Sequence, residues 1–427
     1  MNFVGSNNQI NINNNGLILY TPLGMTMPLR TFNFKVKEKY NDVHPLNHCN
    51  QTTRSFTAFD SLALELEMKL AKAGKFTIQI YEEYKGNFRL LILNQKISRI
   101  CQIYIEQTNL DIIQLIFKEI YNDLPSLLVH PYANYFCLKL YYFLNLKNRI
   151  IFLTYIKESF IALCVNKIST YPIQCIIEKI TGEEQKFIFA SIQGKYQELA
   201  IDLYGAHILD KILRFFNPDL IQPLSLFIID NFKIIASNQN SLCLAKSILK
   251  IEYKKSLFKK LKYELKRNAL DLAMDPYGNY AVQTAITEWE EADFEEIICK
   301  FYGKCFSLSI QKFASNVIEK CIKYSSKFMG YFLYEITNKQ GVFLSMMQNY
   351  FGASVIQVAM ANSNDKTKKL IISLIKKNLD FIENVKVFHK WQYILNINNE
   401  YVSTNKSIVE VFHSLCINRR NKNDDQL

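Results

Sequence analysis

Apolar residues in this chain recur at helical spacing. SLALELEMKLAKAG (residues 61–74) has that period, with Asp60 placed as N-cap and Gly74 as the residue that ends the helix. The greasiest stretch, YFCLKLYYFLNLKNRIIFLTYI (135–156), is interrupted by Lys139, Lys147 and Arg149, so it reads as two packed helices and not as a membrane span. Residues 1–55 are rich in Asn, as in NNQININNNG (7–16), and hold no sustained period. They are expected to be a disordered or loosely attached tail, and NRRNKNDDQL (418–427) a second polar tail.

Between the tails one phrase returns. DPYGNYAVQTAI (275–286) and QKFASNVIEKCI (311–322) share an aromatic, a small residue, two polar positions, two aliphatics and then an amide or acid, with Tyr277 and Phe313 36 residues apart. The same order recurs in NQKISRICQI, HPYANYFCLK, DLYGAHILDK, SNQNSLCLAK and NYFGASVIQV. The first variable letters are then residues 98, 134, 206, 241, 279, 315 and 353, in steps of 35 to 38 except for one of 72. A unit is therefore missing near residue 170, where STYPIQCIIEKI (169–180) is a damaged copy of open register. Either Ile173, Gln174 and Ile177 or Gln174, Cys175 and Glu178 take its variable letters.

Eight units result, centred near 98, 134, 173, 206, 241, 279, 315 and 353 within residues 56–417. Helical repeats of this length bury their apolar faces only against their neighbours and stack as a solenoid. Asp275–Pro276 and His130–Pro131 read as helix starts, and the small residues (Ala133, Gly205, Gly278, Ala314, Gly352) let adjoining helices approach closely.

Composition agrees with an all-α chain, since 13 Gly and 9 Pro in 427 residues are too few for a many-turned β-fold. The ten Cys form no CxxC pair. Cys101, Cys137, Cys243 and Cys321 sit among aliphatics and read as reduced core residues of an intracellular protein. Lys and Arg outnumber Asp and Glu 51 to 39, a formal charge of +12 that suits an anionic partner. The six His are scattered, no HExxH occurs, and Gly194–Lys195 is followed by Tyr196 and lacks the upstream Gly of a phosphate loop. No catalysis, cofactor or metal is expected, and Trp289 and Trp391 read as packing residues.

On a helix the first and fifth letters stand together on one face, the second points toward the adjoining repeat, and the third and fourth turn into the core. The polar pairs are expected to form a ladder on one exposed surface. Lys139, Lys179, Lys211, Lys246 and Lys320, read as following the fifth letter, either raise the cation density near phosphates or line a solvated helix edge.

These phrases resemble the Pumilio (PUF) RNA-binding repeats, in which each repeat reads one base with two or three side chains. The resemblance covers roughly residues 85–390. GNYAVQ and ASNVIEK are specific matches, and Ser98–Arg99–Gln102 resembles the family's first repeat. It implies a right-handed superhelical, crescent-shaped α-solenoid of eight three-helix repeats between cap helices. It also implies base-edge contacts from Ser98, Gln102, Asn134, Asn279, Gln283, Ser315, Glu319 and Gln357, and stacking from Arg99, Tyr135, His207, Tyr280 and Asn316.

The chemistry is consistent with this. The amides of Asn279 and Gln283 offer a donor and an acceptor to uracil, Glu319 beside Ser315 accepts from the N1–H and N2–H of guanine, and Ser98 with Gln102 suits adenine. Elsewhere the chain departs from the family pattern. Leu138 cannot hydrogen-bond, Ala206 with Asp210 and Ser241 with Leu242 and Ala245 specify no clear base, and Gln357 stands alone in the eighth unit, where the family reads uracil.

With RNA running antiparallel, its 5′ end at the last repeat, the expected site is (U)-G-U, a weakly read middle, then (U) and A. The resemblance implies a monomeric, non-enzymatic protein that binds single-stranded mRNA, in 3′ untranslated regions, and regulates translation or stability through co-regulators on its convex face. It would be cytoplasmic, with nucleus or nucleolus as the other location. A nucleolar PUF-like protein that binds structured RNA in ribosome assembly, and an armadillo- or HEAT-like protein-interaction solenoid, are the competing readings.

Overall fold

The computed structural model describes residues 52–251 and 255–404. The chain divides into two compact units, residues 1–58 and 59–427, and the second holds the repeats. Residues 418–427 and all but the last four of the expected Asn-rich tail lie outside the described residues. Every element among the described residues is a helix.

The helix expected over 61–74 begins earlier and spans Thr52–Ala73. Asp60 therefore lies inside it and is not its N-cap, because TTRSFTAF contains no helix breaker. Gly74 ends it as expected, at φ 71°, with its N–H donating to the Leu70 carbonyl at 2.8 Å. The greasy stretch is two helices, Ala133–Phe143 and Leu146–Ile156, and no described helix is long and apolar enough to cross a membrane.

Eight helices carry the recurring phrase: Gln95–Tyr104, Ala133–Phe143, Thr170–Ile177, Leu203–Phe215, Leu242–Ile248, Gly278–Glu288, Ala314–Tyr324 and Tyr350–Ala361. Each packs against the next, so they form a continuous ladder, and one apolar core runs through the array from Leu66 to Leu395. Other helices back the ladder; between the sixth and seventh phrase helices they are Glu291–Ile298 and Cys305–Ser309. After the fifth phrase helix, backing and entry helices are fused into one, Lys255–Met274. Helices Asp365–Leu379 and Val385–Thr404 follow the eighth repeat. This is an α-solenoid of eight repeats.

The small letter is required by a close approach of backbone to backbone. A Cβ on Gly205 would lie 2.6 Å from the Leu199 carbonyl oxygen, and one on Gly352 would lie 2.8 Å from that of Met346. Ser169 and Ser241 take the same place in the third and fifth repeats. Their hydroxyls donate to the carbonyl six residues back, Leu163 at 2.7 Å and Ile235 at 2.9 Å. Trp391 is fully buried with its Nε1–H on the Met347 carbonyl at 3.0 Å, and Trp289 donates to Leu249 at 2.9 Å. Both are packing residues.

Gly205→Ala should destabilise the domain by about 1–3 kcal/mol, the usual cost of forcing an extra carbon into a packed contact. The change would be measured by urea unfolding. Gly330→Ala, where an added Cβ meets nothing within 4 Å, should leave stability unchanged or slightly raised.

Candidate nucleic-acid interface

In seven of the eight phrase helices a side-chain cap four residues ahead of the first letter sets the register. Asp275 Oδ1 accepts from the backbone N–H groups of Tyr277 at 2.9 Å and Gly278 at 2.6 Å. Asn94, Asn166, Asp202, Asn238 and Asn349 make the same pair of bonds, and in the second repeat His130 Nδ1 takes their place, 3.3 Å from the N–H groups of both Tyr132 and Ala133. Gln311 holds the equivalent position in the seventh repeat, its carbonyl accepting from Ser315 N–H at 3.1 Å. These residues satisfy donors that a helix start otherwise leaves unpaired.

Counting four residues on from each cap corrects two of the eight units. In the third repeat the cap is Asn166, so the letters are Thr170, Tyr171 and Gln174, and neither register read from the sequence holds. Ile173 and Ile177 are fully buried core, and Glu178 is ion-paired with Lys211. In the fifth repeat the cap is Asn238, which makes Leu242, Cys243 and Lys246 the letters. Ser241 is the small residue, and Ala245, expected as the fifth letter, is fully buried core. Cys243 accordingly takes a stacking position and is only half-buried, unlike the core residues Cys101, Cys137 and Cys321.

The other six units keep their expected letters: Ser98, Arg99 and Gln102; Asn134, Tyr135 and Leu138; Ala206, His207 and Asp210; Asn279, Tyr280 and Gln283; Ser315, Asn316 and Glu319; Ala353, Ser354 and Gln357. What differs is exposure. The first letters are not on an exposed surface: Ser98 and Asn279 are 1% exposed and Asn134 is 2%. The second letters are the exposed ones, Tyr135, Tyr171 and Tyr280 at about half of their surface, with Arg99, His207 and Asn316 exposed as well. Most fifth letters lie between these limits.

The buried first letter holds the fifth. Gln283 Nε2 donates to Asn279 Oδ1 at 2.8 Å, while Asn279 Nδ2 is spent on the carbonyls of Asp275 and Pro276. Gln102 donates to Ser98 Oγ at 3.2 Å and Gln174 to Thr170 Oγ1 at 3.0 Å. Ser98 Oγ itself donates to the Tyr132 carbonyl of the next repeat at 2.8 Å. Where the first letter is Ala353, Gln357 turns to its backbone carbonyl instead, at 3.1 Å. A glutamine with one amide hydrogen committed in this way still carries a carbonyl and a second N–H, which is the acceptor–donor pair a base edge needs.

A model of the Pumilio-family RNA binding repeat matches residues 159–193, 195–228, 268–300 and 304–327. Pumilio homolog 11 of Arabidopsis thaliana is 27% identical over 310 residues, 71% of this chain and 54% of its own length. A Pumilio domain-containing protein of Schizosaccharomyces pombe is 26% identical over 287 residues, 67% of this chain and 42% of its own. Among solved structures, the Puf4 RNA binding domain bound to the HO endonuclease RNA 3′ UTR recognition sequence superposes with a TM-score of 0.66 at 25% identity, covering 72% of this chain and 99% of that one. PUF-8 in complex with PBE-RNA gives 0.67 at 18% identity, covering 75% and 94%, and shares the fold.

This chain carries Pumilio-family RNA-binding repeats. It spans about half the length of the curated relatives it matches. The family is one of RNA-binding proteins, not enzymes.

The corrected Pumilio register also places the lysines. Only Lys139, Lys211 and Lys320 follow a fifth letter; Lys246 is itself one, and Lys179 lies in the turn beyond the end of its phrase helix at Ile177. Lys139 pairs with Glu106 and Lys211 with Glu178, each a carboxylate of the preceding repeat, while Lys320 lies over the Tyr324 ring at 5.6 Å. Similar contacts between repeats join Tyr142 Oη to the Cys175 carbonyl at 3.2 Å and Ser247 Oγ to Asp210. These side chains fasten neighbouring reading helices at their edges.

His130 is the one imidazole among the caps, and its Nδ1 can accept only when unprotonated. Burial holds its pKa below the ordinary histidine value. The unfolded chain therefore binds the proton more readily than the folded one, so this contribution to stability is present above the unfolded pKa of about 6.5 and is lost as pH falls below it. Melting temperature should drop between pH 7.5 and 5.5 more for the wild type than for His130→Asn, which installs the amide the other repeats use. Parallel melting curves for the two proteins would refute the cap assignment.

Proposed function

We propose that this chain is a sequence-selective single-stranded RNA-binding protein that reads (U)-G-U at the 5′ end of its site and adenines toward the 3′ end. The reading rests on the clasp between first and fifth letters. The same glutamine edge fits uracil or adenine, so the first letter decides by reach. The longer Asn279 holds Gln283 farther out, toward a pyrimidine, whereas the shorter Ser98 and Thr170 hold their glutamines back and leave room for a purine. The third repeat thus joins the first as an adenine position. Glu319 beside Ser315 favours guanine, because a carboxylate accepts from N1–H and N2–H and repels the two oxygens of uracil.

The RNA bound to the Puf4 domain, a 3′ UTR recognition sequence, supports mRNA 3′ untranslated regions as the target class. On this reading the protein acts in the cytoplasm as a monomer and regulates translation or mRNA stability through protein co-regulators. Aromatic second letters stack on the bases and the basic surplus attracts phosphates.

Competition binding with RNAs that differ at one base tests the code. Ser315→Asn with Glu319→Gln should move the preference at that base from guanine to uracil, a good edge pairing being worth about 1–3 kcal/mol. Neighbouring positions should keep their preferences. A uniform loss of affinity without a swap would show that Glu319 does not read a base.

Tyr280→Ala should weaken binding by about 1–3 kcal/mol at unchanged base preference. Because the ring is 51% exposed, the melting temperature should hardly move. A large fall in stability with unchanged affinity would make Tyr280 a packing residue.

A further inference from the structure

The fourth and fifth repeats carry reading letters that differ in kind from the rest. Ala206 is fully buried and apolar, and its partner Asp210 is only 7% exposed. Asp210 Oδ2 accepts from Arg214 at 2.6 Å, and its Oδ1 accepts from Ser247 Oγ of the following repeat. A base that sought this carboxylate would have to break the charge-assisted bond that the exposed Arg214 makes to it. In the fifth repeat Leu242 has no polar atom to clasp the fifth letter. Cys243 offers no flat face for stacking, and its thiol points at backbone carbonyls, 3.4 Å from Asn240 O and 3.9 Å from Ala206 O. Lys246 is exposed and carries donors only, so it cannot present the acceptor–donor edge of a glutamine.

We infer that the fourth and fifth repeats form a two-base gap. The protein reads one block with repeats six to eight and another with repeats one and three, the second repeat offering the exposed Tyr135 ring but no polar fifth letter, and it takes any base at the two positions between the blocks. The Asp210–Ser247 bond fastens the two silent repeats to each other, so the gap keeps a fixed length while losing its sequence. The inference rests on the RNA-binding function proposed above and narrows its specificity.

Binding of the full chain to a pool of single-stranded RNAs tests this. The pool holds a constant U-G-U block and constant 3′ adenines, with the two central bases varied through all combinations, and a control RNA lacks the G of U-G-U. The central variants should bind within about fivefold of one another, the least that one read base would impose. A wider spread, with the control still rejected, overturns the gap and leaves the function standing. Failure to reject the control overturns the function instead.

A second arm writes the first repeat's chemistry into the fifth through Leu242→Ser with Lys246→Gln. Adenine should then be preferred at the first gap position by about fivefold or more. Continued indifference in a variant that folds, as judged by its melting curve, would show that these letters do not set the gap. The wild-type pool needs no variant and is unaffected by any folding defect.

Discussion

The interface depends on the bond between a capping side chain and two backbone N–H groups at the start of seven of the eight reading helices. Four residues separate cap and first letter, so the cap sets both where the helix begins and which side chain faces inward. A slip of one residue would turn a fully buried aliphatic such as Ile173 or Val317 toward the open face and bury an exposed ring such as Tyr171. Burial of the third and fourth letters opposes such a slip by about 1.5–3 kcal/mol for each large aliphatic side chain. Cap and core thus specify the same register by independent means.

The first letter was expected to be a surface reader and is a buried support. Asn279 spends its donors on the carbonyls at its own helix start and lends its oxygen to Gln283. Such a network costs little to bury because its members are partnered, and it orients the long glutamine side chain before any base arrives. Ordering the side chain in advance lowers the entropic cost of binding, which also explains why the small hydroxyls of Ser98 and Thr170 can serve where an amide is not needed. Exposure is left to the second letters, whose flat faces need no partner of their own.

The eight units are neither equal nor independent. Ion pairs and hydrogen bonds cross from one reading helix to the next at Lys139–Glu106, Lys211–Glu178 and Asp210–Ser247. Partly exposed pairs of this kind contribute little stability, but they constrain the spacing between neighbouring repeats. A lysine spent in such a pair is a poorer phosphate ligand than a count of charges suggests.

The period near 36 residues, the all-helical class and the letters of six units were legible in the sequence, because periodicity and the GNYAVQ and ASNVIEK phrases are local properties. The third unit was not. Tyr171 and Pro172 displace its aromatic and small letters from the family order, and the polar Gln174 and Glu178 offer two plausible alignments. Asn166 marks its register: Asn94, His130, Asn166, Asp202 and Asn238 lie 36 residues apart, but among the caps only His130 and Asp275 are followed by a proline that signals a helix start. The fifth unit misled because Ser241 looks like a polar reader, and only its bond to the Ile235 carbonyl shows that it stands in the glycine's place. Which polar letters are buried, and which are spent on a neighbouring repeat, depends on side chains that lie a full repeat apart in sequence. Tertiary packing alone decided those, because a helix face acquires an inside and an outside only when the next helix is laid against it.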